Sequence, residues 1–132
     1  MKLVIQIPAW NEEGQLAETL AALARAVAGF DEIEVLVVDD GSEDRTAETA
    51  TAAGAAVLRL PVHRGLAVAF AAGLREALAR GADVLVNTDA DNQYDARDIP
   101  ALVRPILDGA AQLVIGDRQV EGLRHFSPTK LP

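Results

Sequence analysis

Cysteine is absent from the 132-residue chain, which excludes a disulfide framework and any thiolate metal centre. Aromatic residues are scarce at 4%, although half of all residues are hydrophobic. The core must therefore be built from Ala, Leu, Val and Ile, a balance that favours helices packed on a parallel sheet over an aromatic-rich sandwich. Positive charge is also short: 12 Lys and Arg stand against 20 Asp and Glu, for a formal net charge of −8. A surface of that sign argues against nucleic acid as a partner and against binding to an anionic membrane. It tolerates an anionic substrate only where a cation or local basic residues mediate. No run approaches the about 18 apolar residues of a membrane span, and the opening MKLVIQIP is too short for a signal-peptide core. The length suits one domain with a real core. The expectation is a soluble chain in a reducing cytoplasm.

What is present is a regular alternation of strands and helices. Residues 3–7 form an apolar strand closed by Pro8, and Asn11 is placed to cap a helix carrying Leu16, Leu20, Leu23 and Val27 on one face. EVLVV at 34–38 is a second strand, too uniformly apolar after Glu34 to have a wet face, as a parallel strand buried on both sides would be. Ser42 or Asp44 can cap the next helix, which Gly54 ends. Residues 56–60 give a third strand, and Leu66, Phe70, Leu74 and Leu78 mark one face of a helix stopped by Gly81. Residues 83–87 form a fourth strand. Ile99, Leu102, Val103, Ile106 and Leu107 make an amphipathic helix ending at Gly109, with a kink expected at Pro105. Residues 112–115 form a fifth strand, and 119–132 read as loop or tail. The expected fold class is α/β: a doubly wound, mostly parallel, Rossmann-like sheet with helices on both faces.

In such sheets the functional groups gather beyond the carboxyl ends of the strands. Every expected strand here ends in polar or charged residues: PAWNEE at 8–13, DDGS at 39–42, HRG at 63–65, TDADN at 88–92 and GDR at 116–118. Asp89 and Asp91, flanking Ala90 on a tight turn, can aim at one divalent cation. Their hard oxygens suit Mg²⁺ or Mn²⁺, which take further ligands from water and substrate phosphates. Such a cation would neutralise a diphosphate that the acidic surface otherwise repels. Against this, Asp-x-Asp near a helix start is also ordinary capping chemistry. Asp39 and Asp40 can accept from a pyrimidine imide or ribose hydroxyls, while Asp-Gly-Ser is equally good turn chemistry. Trp10 can stack on a base or simply pack. Arg64 can meet a diphosphate or stay solvated, and His63 favours no particular role. Arg118, Arg124 and Lys130 form a modest basic cluster or a solvated tail.

Together these segments resemble the family 2 glycosyltransferases, which have the GT-A fold. The resemblance rests on IPAWNEE, VLVVDDGSEDRT, HRGLAVAFAAGL and VLVNTDADNQYD, in order and in register over residues 3–118. It implies an inverting transfer from a nucleotide-diphosphate sugar, UDP- or GDP-linked, with Mg²⁺ or Mn²⁺ as cofactor. By position, Pro8, Trp10 and Glu12 would line the base pocket with Asp39 or Asp40, while Asp89 and Asp91 would hold the metal and diphosphate. Within the family the chain is most similar to the dolichol- and polyprenyl-phosphate sugar transferases. There Arg118 and Arg124 would help bind a lipid-phosphate acceptor, although Asp117 departs from the usual Ser. Asp91 and Arg118 are the residues assigned to catalysis. On this resemblance residues 1–118 are a nucleotide-sugar-binding half-domain, 119–132 lead toward acceptor-side elements, and the sheet is incomplete on that side. A cut sheet would favour self-association, and a longer protein could associate with the cytoplasmic face of a membrane.

Three other readings compete. A phosphoacceptor receiver domain shares the sheet and the acidic strand ends, but places its acidic pair after the first strand and needs a Lys at a late strand end. A nucleotidyltransferase would carry a Gly-rich basic loop after the first strand, where residues 8–13 have neither Gly nor Arg. A donor-binding domain without turnover is the third.

Overall fold

The computed structural model describes residues 1–23 and 28–88, together with the backbone of 114–115. Its elements run β1 (Lys2–Ala9), α1 (Glu13–Ala22), β2 (Glu32–Asp39), α2 (Thr46–Ala52), β3 (Ala56–Arg59), α3 (Leu66–Ala79), β4 (Val84–Asn87) and β5 (Val114–Ile115). The expected helix over 99–107, the first two residues of the fifth strand, the tail and Val27 lie outside the described residues. So do Asp89, Asp91, Arg118 and Arg124.

The five strands form one sheet in the order β3-β2-β1-β4-β5, and every pairing is parallel. The chain steps outward from β1 to β3, then returns to β4 on the other side of β1. The reversal point therefore lies between the carboxyl ends of β1 and β4, the place where open α/β sheets form a binding crevice. The doubly wound, parallel class expected from the sequence is the class observed.

Alternation along the strands sends side chains to two separate cores. Leu3, Ile5, Ile7, Val35, Val37, Val84 and Val86 pack with Leu16 and Leu20 of α1 and Ala50 of α2. Val4, Leu36, Val38 and Leu85 pack beneath Ala69 and Ala77 of α3. Val35 to Val38 are all buried, as a strand covered on both faces requires. Each fully buried Leu, Ile or Val of this kind contributes about 1.5–3 kcal/mol. The amino edge of the sheet is tied by Lys2, whose Nζ lies 3.3 Å from Glu32 and 3.2 Å from Glu34. Arg80 bridges Glu34 at 3.2 Å and Glu76 at 2.7 Å.

Two local expectations are corrected, and the packing face of α3 is settled. Pro8 does not close β1, which pairs on through Pro8 and Ala9 with Val38 and Asp39. The missing Pro8 N–H costs little there, because pairing with β4 covers only Leu3 to Gln6. Asn11 does not cap α1: the cap position is Glu12, without a side-chain cap bond. In α3 the face laid on the sheet is Ala69, Gly73 and Ala77, not the Leu66-Phe70-Leu74-Leu78 row, and Leu66 is 66% exposed. The reason is close approach. A Cβ on Gly73 would sit 2.5 Å from Gln6 Cδ, 2.6 Å from Gln6 Oε1 and 2.7 Å from Val38 Cγ2. Only small residues let the helix lie that near, and the larger Phe70 and Leu74 flank the contact half-buried.

This contact gives a prediction. Gly73→Ala should lower stability by about 1–2 kcal/mol, because overpacking against a fully buried Gln6 outweighs the about 1 kcal/mol gained in helix propensity. Gly14→Ala in α1 has open space around its Cβ and should raise stability by about 0.5–1 kcal/mol. Urea midpoints of the two variants decide it, and a stabilised Gly73→Ala would show that the close approach is absent.

Candidate functional site

The carboxyl edge of the sheet carries three loops, at 10–12, 40–45 and 60–65. The first two are laced together. Asn11 N–H donates to Ser42 Oγ at 2.8 Å, Glu12 N–H to Thr46 Oγ1 at 2.9 Å and Glu13 N–H to Asp44 Oδ2 at 3.3 Å. In return Glu43 N–H donates to Asn11 Oδ1 at 2.9 Å and Arg45 N–H to Glu13 Oε2 at 3.3 Å. Helix starts leave N–H groups without intrahelical partners, and each helix here supplies acceptors to the other. That is why neither α1 nor α2 has a side-chain cap at its own cap residue. Asn11 adopts φ 51°, a left-handed conformation Asn tolerates, which turns its side chain to Glu43.

Of the two expected caps for α2, Ser42 serves the other loop. Asp44 accepts from Thr46 N–H at 2.9 Å and from the Thr46 hydroxyl. Desolvation acts to raise the Asp44 pKa, but the bonds from Thr46 and Glu13 outweigh it and hold the carboxyl below its ordinary value.

The acidic pair separates into two roles. By alternation Asp39 continues the α1/α2 face of β2, and Asp40 turns to the α3 face. Asp40 is committed to structure: Oδ1 accepts from Arg64 N–H and Oδ2 from Gly65 N–H, both at 2.9 Å. Oδ2 also lies 2.9 Å from His63 Nδ1. This buried carboxylate therefore holds the segment that opens α3. Asp39 is fully buried, and its Oδ1 accepts from Ser42 N–H at 3.0 Å. Among the described residues its Oδ2 has no hydrogen-bond partner, and the cation beside it is Arg59, with Nε at 3.6 Å. Arg59 is more than half exposed, so it screens Asp39 weakly.

Two further oxygens at this edge are buried without hydrogen-bond partners among the described residues: Asn87 Oδ1, ending β4, and Thr88 Oγ1. Thr88 N–H donates to the Gln6 carbonyl at 2.9 Å, so the ladder between β1 and β4 runs one residue past the strand. Asp89 and Asp91 follow immediately in sequence. Unpaired buried oxygens are costly in a native fold unless something else satisfies them.

Trp10 lies beside His63, with ring centroids 4.1 Å apart and planes inclined by 23°. It remains 46% exposed. The Arg64 backbone is held by Asp40 while the residue itself is exposed. Pro8 is half-buried at the end of β1, and Glu12 is half-buried at the start of α1. Thus Pro8, Trp10, Glu12, Asp39, Asp40 and Arg64 all come to one edge. Sequence reasoning placed His63 and Ser42 at strand ends without giving His63 a role, and missed Thr46. The HRG segment at a strand end was the available signal for His63.

Among the described residues no three His, Asp or Glu side chains gather as a cation site, and no helix is long and apolar enough to cross a membrane. A hollow lined by Glu32, Glu34, Gly54 and Ala56 lies at the opposite, amino end of the strands.

Residues 4–130 match the family model described as glycosyl transferase family 2. The chain belongs to this family. It is 40% identical over 127 residues to an undecaprenyl-phosphate mannosyltransferase of Micrococcus luteus, covering 92% of the chain and 50% of that protein. It is 36% identical over 126 residues to a dolichol-phosphate mannosyltransferase of Pyrococcus furiosus, covering 92% of the chain and 34% of that protein. Among solved structures, it resembles glucosyl-3-phosphoglycerate synthase from Mycobacterium tuberculosis in complex with Mn²⁺, UDP-glucose and phosphoglyceric acid. There the TM-score is 0.65 at 31% identity, over 82% of the chain and 40% of that structure. The family 2 chain thus spans half or less of the length of each of these relatives, and its fold is that of GT-A glycosyltransferases.

Proposed function

We propose that the chain is the donor-binding half, residues 1–118, of an inverting glycosyltransferase that moves a sugar from a nucleotide-diphosphate sugar to a polyprenyl or dolichol phosphate. The observation that carries this reading is the buried Oδ2 of Asp39 at the carboxyl edge of the sheet, which has no hydrogen-bond partner among the described residues. An acceptor held there without a hydrogen bond suits a base imide or a ribose hydroxyl. Pro8, Trp10 and Glu12 flank it in the proposal, and Arg64 approaches the diphosphate. The polyprenyl-phosphate names of two relatives support the acceptor class, and a solved relative with UDP-glucose and Mn²⁺ supports the donor class.

The hard-oxygen donor set of Asp89 and Asp91 fits Mg²⁺ or Mn²⁺, which would supply charge neutralisation for the diphosphate. Arg118 and Arg124 are assigned to the acceptor phosphate. That phosphate is already ionised, so its oxygen can attack the anomeric carbon without a general base. The carbon–oxygen bond to the nucleoside diphosphate breaks as the new bond forms on the opposite face, inverting the configuration. A lipid acceptor brings this transfer to a membrane surface.

Calorimetric titration with UDP-, GDP- and CMP-linked sugars, with and without Mn²⁺, tests the reading. Binding of one donor should need the metal, and Asp91→Ala should weaken it by at least about 100-fold, the effect of losing a charged ligand group. Binding indifferent to metal, or unchanged in Asp91→Ala, would defeat the proposal.

A further inference from the structure

We propose that His63 is a positioning residue that presets Trp10 as a stacking wall for the nucleobase, an inference that rests on the donor-site reading above. His63 Nδ1 faces two acceptors, Asp40 Oδ2 at 2.9 Å and the Asp40 carbonyl at 3.2 Å. Both partners accept, so Nδ1 carries the proton and the ring plane is set by that bond. Asp40 is itself immobilised by Arg64 N–H and Gly65 N–H. A chain of fixed groups thus runs from buried β2 to a half-exposed imidazole, and the imidazole lies 4.1 Å from the Trp10 indole.

An unsupported indole on a loop loses rotamer freedom when a ligand stacks on it, and that loss weakens binding. With His63 covering one ring face, the rotamer is chosen before the ligand arrives. The 46% of Trp10 that stays exposed is then offered to a second ring. Stacking of this kind tolerates any base, so His63 strengthens nucleotide binding without choosing the base. Catalysis does not require it.

Trp10 is the only tryptophan, so intrinsic fluorescence reports on this stack alone. The probes are UDP, GDP and inorganic pyrophosphate, each titrated with Mn²⁺ by calorimetry and by Trp10 emission. His63→Ala should weaken the preferred nucleotide about 10-fold, leave pyrophosphate within about twofold, and red-shift Trp10 emission, as expected for loss of one stacking partner. His63→Phe keeps a ring but drops the bond to Asp40 that fixes it, and should recover only part of the nucleotide affinity. If His63→Ala weakens nucleotide and pyrophosphate equally, His63 is only structural and the proposal falls. It falls as well if nucleotide affinity is unchanged.

Should His63→Ala not fold, His63→Gln keeps a donor for Asp40 without the ring and is judged by the same two affinities. Wild-type protein that binds pyrophosphate but no nucleotide more tightly overturns the stacking wall alone. Wild-type protein that binds neither overturns the donor site, and this inference with it.

Discussion

Gly41→Ala should lower stability by about 3–4 kcal/mol, among the largest effects expected of a single methyl group. Gly41 has φ +72°, and a Cβ there would lie 2.3 Å from both His63 N and the Val62 carbonyl carbon, and 2.9 Å from Val62 Cα. Those atoms are backbone, so no side chain can swing aside. The 61–65 segment must move, and with it the bonds from Arg64 N–H and Gly65 N–H to Asp40. Breaking them strands a buried carboxylate, which adds to the strain of a left-handed alanine.

Gly54→Ala separates the two contributions. Gly54 has φ +87° but open space around its Cβ, so only the conformational cost of about 1 kcal/mol applies. Urea unfolding of both variants provides the comparison. A Gly41→Ala loss no greater than that of Gly54→Ala would mean the two loops do not meet as described.

Asp39→Asn should uncouple binding from stability. Asparagine can keep the Oδ1 bond from Ser42 N–H, but it replaces Oδ2, which accepts no hydrogen bond from the described residues, by an amide donor. Where the ligand offers an N–H or O–H, a donor now faces a donor, at a cost of about 2.5–4 kcal/mol or roughly 100- to 1000-fold in affinity. Unfolding moves the other way. The substitution removes a buried charge whose cation among the described residues is the exposed Arg59, so stability should hold or rise by up to about 1 kcal/mol. Calorimetry with the preferred donor and a urea curve on one protein sample report both quantities. Unchanged donor affinity would remove Asp39 from the site.

Much of the fold was readable because its signals are local. The apolar run of β2 announced a strand covered on both sides, and Val35 to Val38 are buried accordingly. Gly54 and Gly81 stop α2 and α3 with φ of +87° and +85°, the left-handed conformation for which glycine was expected. The strand-end rule also gathered Trp10, Asp39, Asp40 and Arg64 at one edge. What escaped depends on contacts made in space. Ser42 and Thr46 serve as acceptors for α1, a helix remote in sequence, so no cap pattern near Asn11 could reveal them. Leucine periodicity marks α3 as a helix but does not tell which face meets the sheet. A helix pressed close to a sheet selects Ala69, Gly73 and Ala77, and Gln6 supplies the surface that demands it. Asp39 and Asp40 could not be ranked until the 63–65 segment was seen to occupy one of them.

The lacing of the first two loops limits how this site can be altered. Five backbone N–H groups from residues 11–13, 43 and 45 end on side chains of the opposite loop. A loop transplanted alone from a relative would therefore arrive without its acceptors and would leave its neighbour without donors. For any graft at this edge, residues 10–13 and 42–46 form one exchangeable cassette.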